Sequence, residues 1–438
     1  MHGAPSATPD AVPQDSQPES FVRDSNRRAM AVLTTLFFLC GFLAALNDIL
    51  IPHLKPIFSL NYAQVMLVQF SFFSAFLLFA GPSAKLIAYA GYKRTMVAGL
   101  LTMSVGALLF IPAANVPSFV FFMCALMVLA AGITALQVAG NPYVSVLGPA
   151  RTASSRLTLC QAFNSLGSTI APTFGGLLML NAPLDPSMLA SFNESALQAY
   201  RLEQAAEVKA PYIGIAIALL LLAAVVSRAR LPTLHMEAVS SLRGSGHIWK
   251  HRQLVFGVAA IFLAVGGEVA VGSFLVNYLS QKDIGALTPK TAAVFVSLYW
   301  GGAMAGRFVG SMVMRSFPAS KVLGSAAIVV VTLLATSIAT SGVWAMWSVL
   351  SVGFFNSIMF PTIFTLGIAG LGALTARGSG ILMAAAVGGA IIPVVQGALA
   401  DARGIQVSFL VPAICYAYVA FYGFEGCRPS LPVETTCT

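Results

Sequence analysis

About twelve apolar runs follow one another along this chain, each near the roughly 20 residues that a bilayer-spanning helix needs. Their approximate limits are 29–52, 62–90, 94–113, 116–142, 155–180 and 210–228, then 253–281, 290–315, 319–339, 342–369, 376–399 and 404–425. Inside a bilayer every backbone N–H and C=O must be satisfied within the protein, so runs of this length read as helices. Composition agrees. Of 438 residues, 58% are hydrophobic and 9% charged, against about 25% charged in a soluble domain. The expectation is an all-α membrane protein.

The runs divide into two related halves. Gly167, Pro172 and Gly176 are spaced like Gly388, Pro393 and Gly397, 221 residues further on. Pro142 with Gly148 returns as Pro361 with Gly367, 219 residues further on. Two six-helix bundles are therefore expected, 28–228 and 253–428, with Pro172 and Pro393 as symmetric bend points. They are joined by the polar, basic stretch 229–252 and flanked by tails at 1–27 and 429–438. The first tail has no apolar core and reads as a disordered segment, not a cleaved leader. One alternating set of loops holds seventeen Lys and Arg residues and the opposite set six. This bias predicts a multi-pass topology with both termini and the linker in the cytoplasm.

Several function classes drop out. The net charge of +9 lies in short loops between apolar runs, which is an orientation signal; a nucleic-acid binder would cluster it on a soluble face. The six cysteines form no CxxC pair, and no metal framework is expected. No HExxH, GxSxG or Walker motif is present, so neither enzymatic chemistry nor ATP-driven transport is expected.

The polar residues within the runs are informative because they are costly there. Asp48 and Glu268 are lone carboxylates on the first and seventh runs. An acid near the bilayer centre costs about 2.5–3.5 kcal/mol, so each should face a protein interior or a wet cavity. Thr134, Gln137 and Asn141 share one helical face, as do Thr158, Gln161, Asn164 and Ser168. Asn47, Asn356 and Gln396 extend the amide inventory, and Trp300 offers an aromatic plane. Amides that both donate and accept suit a neutral polyol. An anionic substrate would call for buried Arg or Lys, and Arg307 is the only apparent candidate. The plainer reading is that these amides tie helices together, at about 0.6 kcal/mol each. Internal symmetry with polar groups between the halves is the organisation of a secondary transporter. In that setting Asp48 reads as a proton carrier, a Na⁺ ligand or a hydrogen-bond anchor. Glu268, beside Gly266 and Gly267, reads as a second coupling acid or a structural group.

Four segments carry a resemblance: GFLAALNDILIPHLK (41–55), GITALQVAGNPYVSVLG (132–148), LTLCQAFNSLGSTIAP (157–172) and VGGEVAVGSFLVNYL (265–279). The chain resembles the major facilitator superfamily and, within it, the fucose–galactose–glucose:cation symporter family, most closely its bacterial glucose/galactose permease branch. The resemblance implies a major facilitator fold of twelve helices and an alternating-access sugar symporter in a bacterial inner membrane. It implies H⁺ or Na⁺ as coupling cation, no further cofactor, and function as a monomer. It places cation coupling on Asp48 and a family amide on Asn164, with Gln161 before it. Fucose:proton symporters carry a glutamate where this chain has Gln137. The superfamily's basic loop between the second and third spans survives as Gly91-Tyr92-Lys93-Arg94, without its usual acid. Within transport, the alternatives are a hexose importer and a carrier of L-fucose or another deoxysugar; outside it, a non-transporting sugar sensor.

Overall fold

The apolar runs fold as helices. The computed structural model describes residues 19–57, 62–115, 119–179, 192, 209–229, 231–232 and 248–428, with backbone alone for 19–25, 46–57, 62–69, 114–115, 172–179, 289–290 and 293. The first half holds α1 (Glu19–Ile57), α2 (Tyr62–Asn115), α3 (Phe119–Val146), α4 (Ala153–Met179) and α5 (Lys209–Arg228). The second holds α6 (Arg252–Leu279), α7 (Pro289–Ser316), α8 (Ala319–Ala339), α9 (Gly342–Asn356), α10 (Met359–Ile368), α11 (Thr375–Ala384), α12 (Gly388–Arg403), α13 (Ile405–Ser408) and α14 (Leu410–Phe421). The described residues contain no strand.

Nine described helical segments are long and apolar enough to cross a membrane. One of them, Phe70–Ala113, spans 44 residues, about twice what one crossing needs. It reverses at Gly91, whose φ of 82° and ψ of 169° lie where a side chain is strained. By length α4 and α7 also qualify, but their polar residues lower their hydropathy. Among the described residues length and apolarity together give nine crossing segments, against the twelve expected. Two boundaries differ from the sequence reading. Helix α1 starts at Glu19, inside the stretch expected as a tail. The linker closes with a 3₁₀ turn, Ile248–Lys250, whose Ile248 is buried. Residues 1–18, 233–247 and 429–438 lie outside the described residues.

The repeated prolines have a common consequence. Proline has no N–H, so the carbonyl four residues earlier loses its helical donor. Pro142 frees the carbonyl of Val138, which accepts the Ser379 hydroxyl at 2.8 Å from the other half. Pro361 frees the carbonyl of Ser357, which accepts Arg307 Nε at 3.1 Å. Pro393 lies inside α12, nearly two turns after the irregular 3₁₀ turn Ala385–Val387. Pro172 falls in α4, where only backbone is described.

The repeated glycines mark a second symmetric device. A Cβ on Gly167 would strike the backbone carbonyl of Phe38, and one on Gly388 the carbonyl of Phe262. In each half the fifth crossing thus presses bare backbone against the first. We expect Gly388→Ala to lose about 1–3 kcal/mol through overpacking. Gly301→Ala, whose new Cβ would meet nothing within 4 Å, is the matched control. Thermal unfolding in detergent checks this; equal midpoints for the two variants would contradict it.

The halves meet most closely at one end, which carries Arg151, Arg315 and Arg377. There the Ser154 and Thr365 hydroxyls lie 2.5 Å apart, and Ser155 donates to the Ser311 carbonyl at 2.6 Å. Between α2 and α11 the seam is built of small residues, with Gly380 against Ala80 and Ala84. Small side chains let helices approach closely without a large apolar surface holding them shut. The turn between α3 and α4, at this same end, is clamped by Arg156. Its guanidinium donates to the carbonyls of Val144 (3.2 Å), Ser145 (2.6 Å), Gly148 (3.2 Å) and Pro149 (2.9 Å), and to Thr152 Oγ1 (2.6 Å). Lysine has no planar fork. Arg156→Lys should therefore cost about 1–3 kcal/mol and speed amide exchange over 145–152. Unchanged exchange would show that the turn holds without the clamp.

Candidate functional site

Above the closed seam, polar groups from both halves line the space between them. On α4, Ser154, Thr158, Gln161, Ser165 and Thr169 recur at three- and four-residue spacing and so share a face. That face meets the second half. Arg307 Nη1 reaches the Gln161 carbonyl at 3.4 Å and the Ser165 hydroxyl, and Thr169 Oγ1 lies 3.9 Å from the Met304 sulfur. Asn164 and Ser168 turn instead toward α1. Asn164 Nδ2 donates to the Phe37 carbonyl at 2.9 Å, and Ser168 to the Gly41 carbonyl at 3.0 Å. The single polar face expected from 158 to 168 is thus divided between two neighbours, because its steps spread over about a third of the helix circumference.

On α3, Asn141 is fully buried at the seam. Its Nδ2 lies 3.3 Å from the Met383 sulfur of α11, while its Oδ1 finds no partner among the described residues. Gln137, one turn earlier, shares this face toward the second half and is half-buried.

In the second half Glu268 and Arg307 pair, with Oε1 3.5 Å from Nη2 and side chains 17% and 14% exposed. Arg307 also takes the proline-freed Ser357 carbonyl. Trp300 lies two turns along α7 on the row that carries Met304 and Arg307. It is exposed, sits beside Gly272 of α6 and meets the Tyr299 ring edge-on at 5.2 Å. Asn356 and Gln396 occupy other surroundings. Asn356 Nδ2 donates to the hydroxyls of Tyr299 (2.9 Å) and Tyr416 (3.0 Å), and Gln396 Nε2 to Ser408 Oγ (3.3 Å). Both amides are buried, so in this conformation they stand behind the lining and tie helices of the second half together. Asn47 and Asp48 lie on the backbone of α1, and their side chains lie outside the described residues. Asp48 follows Gly41 by seven residues, about 10 Å along the axis and away from the closed seam.

Glu268, Arg307, Ser165 and the Gln161 carbonyl are thus joined between the halves, with Trp300 on the Arg307 row of α7, Gln137 on the Asn141 face of α3 and Asn164 at the α1 edge. The sequence reading treated Arg307 as a candidate for an anionic ligand and missed its partner. Neighbouring spans are antiparallel, and a lone acid and a lone arginine on consecutive spans are a pairing signal that could have found it. The two freed carbonyls follow from the proline rule alone. Arg156 left no comparable signal, because its partners are backbone atoms.

This arrangement belongs to a known architecture. The sequence profile of the Major Facilitator Superfamily matches residues 33–386. The chain is 50% identical over 401 residues to the glucose/galactose transporter of Brucella abortus, covering 91% of this chain and 94% of that protein. It is 42% identical to a putative glucose/galactose transporter of Helicobacter pylori, covering 92% and 98%. It is 33% identical to the L-fucose-proton symporter of Escherichia coli, covering 90% and 91%. Among solved structures, FucP in the outward conformation superposes with a TM-score of 0.84 at 33% identity, covering 91% of this chain and 98% of that one. The proton:xylose symporter XylE, at 12% identity and a TM-score of 0.65, shares the fold. The chain is a membrane-spanning member of the major facilitator superfamily and, within it, of the fucose–galactose–glucose:cation symporter family.

Proposed function

We propose that this protein imports a hexose, D-glucose or D-galactose, by cation symport with alternating access. The observation that carries this reading is the commitment of Arg307. Arg307, the arginine that reaches between the halves, is neutralised by Glu268 and shared among Ser357, Gln161 and Ser165, so it is not a free cation waiting for an anionic substrate. What remains is a neutral lining of amides with an exposed indole, which suits a polyol with an apolar ring face. The naming of the two most similar relatives described above as glucose/galactose transporters supports the same choice.

In this reading Gln137, Gln161 and Asn164 contact the sugar, Trp300 covers the ring, and Asn47 extends the lining from α1. Asn164 spends one N–H on Phe37 and keeps its oxygen and second N–H for a hydroxyl. Asn141, Asn356 and Gln396 support the lining from behind. Asp48 is the coupling group, for H⁺ or Na⁺. The closed seam lies at the end rich in Arg and Lys, which the charge bias puts in the cytoplasm, so this conformation faces outward. The protein works as a monomer in a bacterial inner membrane, with both termini cytoplasmic. It performs no covalent chemistry.

Competition in proteoliposomes tests the substrate. Unlabelled glucose and galactose should each displace labelled galactose uptake, and L-fucose should do so at least about tenfold less well, a difference of about 1.4 kcal/mol. Stronger competition by fucose would move the assignment to the deoxysugar carriers.

A further inference from the structure

We propose that Arg307 is a positioning residue that ties the two halves together in this conformation, with Glu268 as its permanent counter-charge. The reading rests on the transport function above, and it removes Glu268 from the coupling step. Arg307 divides its donors between the halves. Nε binds the Ser357 carbonyl and Nη2 faces Glu268, both in the second half. Nη1 crosses to the Gln161 carbonyl and Ser165 hydroxyl of the first.

The two sets of partners differ in kind. Those across the divide are a backbone carbonyl and a hydroxyl, neutral groups that can be released when the halves part. Those on the home side are a carboxylate and a carbonyl that Pro361 keeps free of any helical donor. They travel with Arg307, so the guanidinium remains neutralised and partly bonded when the tie is broken. An arginine left without its carboxylate inside the membrane is penalised in every conformation. Glu268 therefore cannot give up its charge once per cycle without stranding Arg307. A coupling acid has to do that.

The test compares Glu268→Gln, Arg307→Gln and the double variant in the full chain, reconstituted in proteoliposomes. Sugar exchange and gradient-driven accumulation are measured side by side, using whichever sugar the parent protein takes. Glu268→Gln should lose both activities by at least about tenfold, as expected for an unpaired buried charge. The double variant, which removes both charges, should recover most of both. A second readout needs no sugar. Labelling of Thr365→Cys by a membrane-permeant thiol reagent should rise severalfold when Ser165→Ala weakens the tie. Because that readout is independent of substrate, a wrong sugar assignment leaves it standing. A Glu268→Gln protein that exchanges sugar at the parent rate yet fails to accumulate it would make Glu268 the coupling acid and overturn the proposal. A double variant no better than Glu268→Gln, or unchanged labelling with Ser165→Ala, would overturn it too.

Discussion

Joining Ser154→Cys to Thr365→Cys by a disulfide is expected to stop sugar uptake almost completely, and reduction to restore it. The parent hydroxyls are 2.5 Å apart and belong to opposite halves. Sulfur atoms in their place lie within reach of the roughly 2 Å bond a disulfide requires. Ordinarily this contact is one hydrogen bond, worth about 0.5–1.5 kcal/mol and readily exchanged. The neighbouring Ser155–Ser311, Ser379–Val138 and Gly380–Ala84 contacts are of the same weak kind, so the seam can open as a unit. A covalent link cannot. The exposed native Cys124 should be replaced first, since it could form unwanted pairs. Sugar binding from the open side should survive the cross-link, because the link holds the conformation described here. Full uptake in a sample shown to be cross-linked would mean that this seam does not part during transport.

The second large effect is expected from Asp48→Asn. It keeps the shape of the side chain and removes its charge. Gradient-driven accumulation should collapse to equilibration, while exchange of sugar for sugar persists in part, because exchange needs no net cation movement. A gradient that supports hundredfold accumulation stores about 2.7 kcal/mol in the sugar, and the variant should store none of it. With Gln137 where fucose:proton symporters carry a glutamate, the lining described for the first half offers no second acid to take over. Continued accumulation by Asp48→Asn would place coupling elsewhere.

Much of this architecture is legible in the sequence because membranes impose simple rules. Run length gives the crossings, and the spacing of Gly167, Pro172 and Gly388, Pro393 gives the two halves. The limits of that reading are also physical. Hydropathy undercounts α4 and α7 because these helices carry the polar groups that line the inter-half space. Helical spacing assigned Gln161 and Asn164 to one face, but it cannot say which neighbour stands opposite each. In three dimensions the Gln161 carbonyl is met by Arg307 of α7, while the Asn164 amide turns to α1. Asn356 and Gln396 look like lining residues in sequence, since an amide in an apolar run signals only that it needs a partner. Tyr299, Tyr416 and Ser408 supply those partners from distant or unremarkable positions. The Glu268–Arg307 pair was within reach of sequence reasoning, and the bifurcation of Arg307 across the halves was not.

The most direct measurement is uptake by purified protein in proteoliposomes under imposed H⁺ or Na⁺ gradients. Labelled D-glucose or D-galactose should accumulate above equilibrium when one of these gradients is present. It should only equilibrate when that gradient is collapsed. Equal uptake with and without every imposed gradient, or accumulation of neither hexose, would contradict the account of a cation-coupled hexose importer.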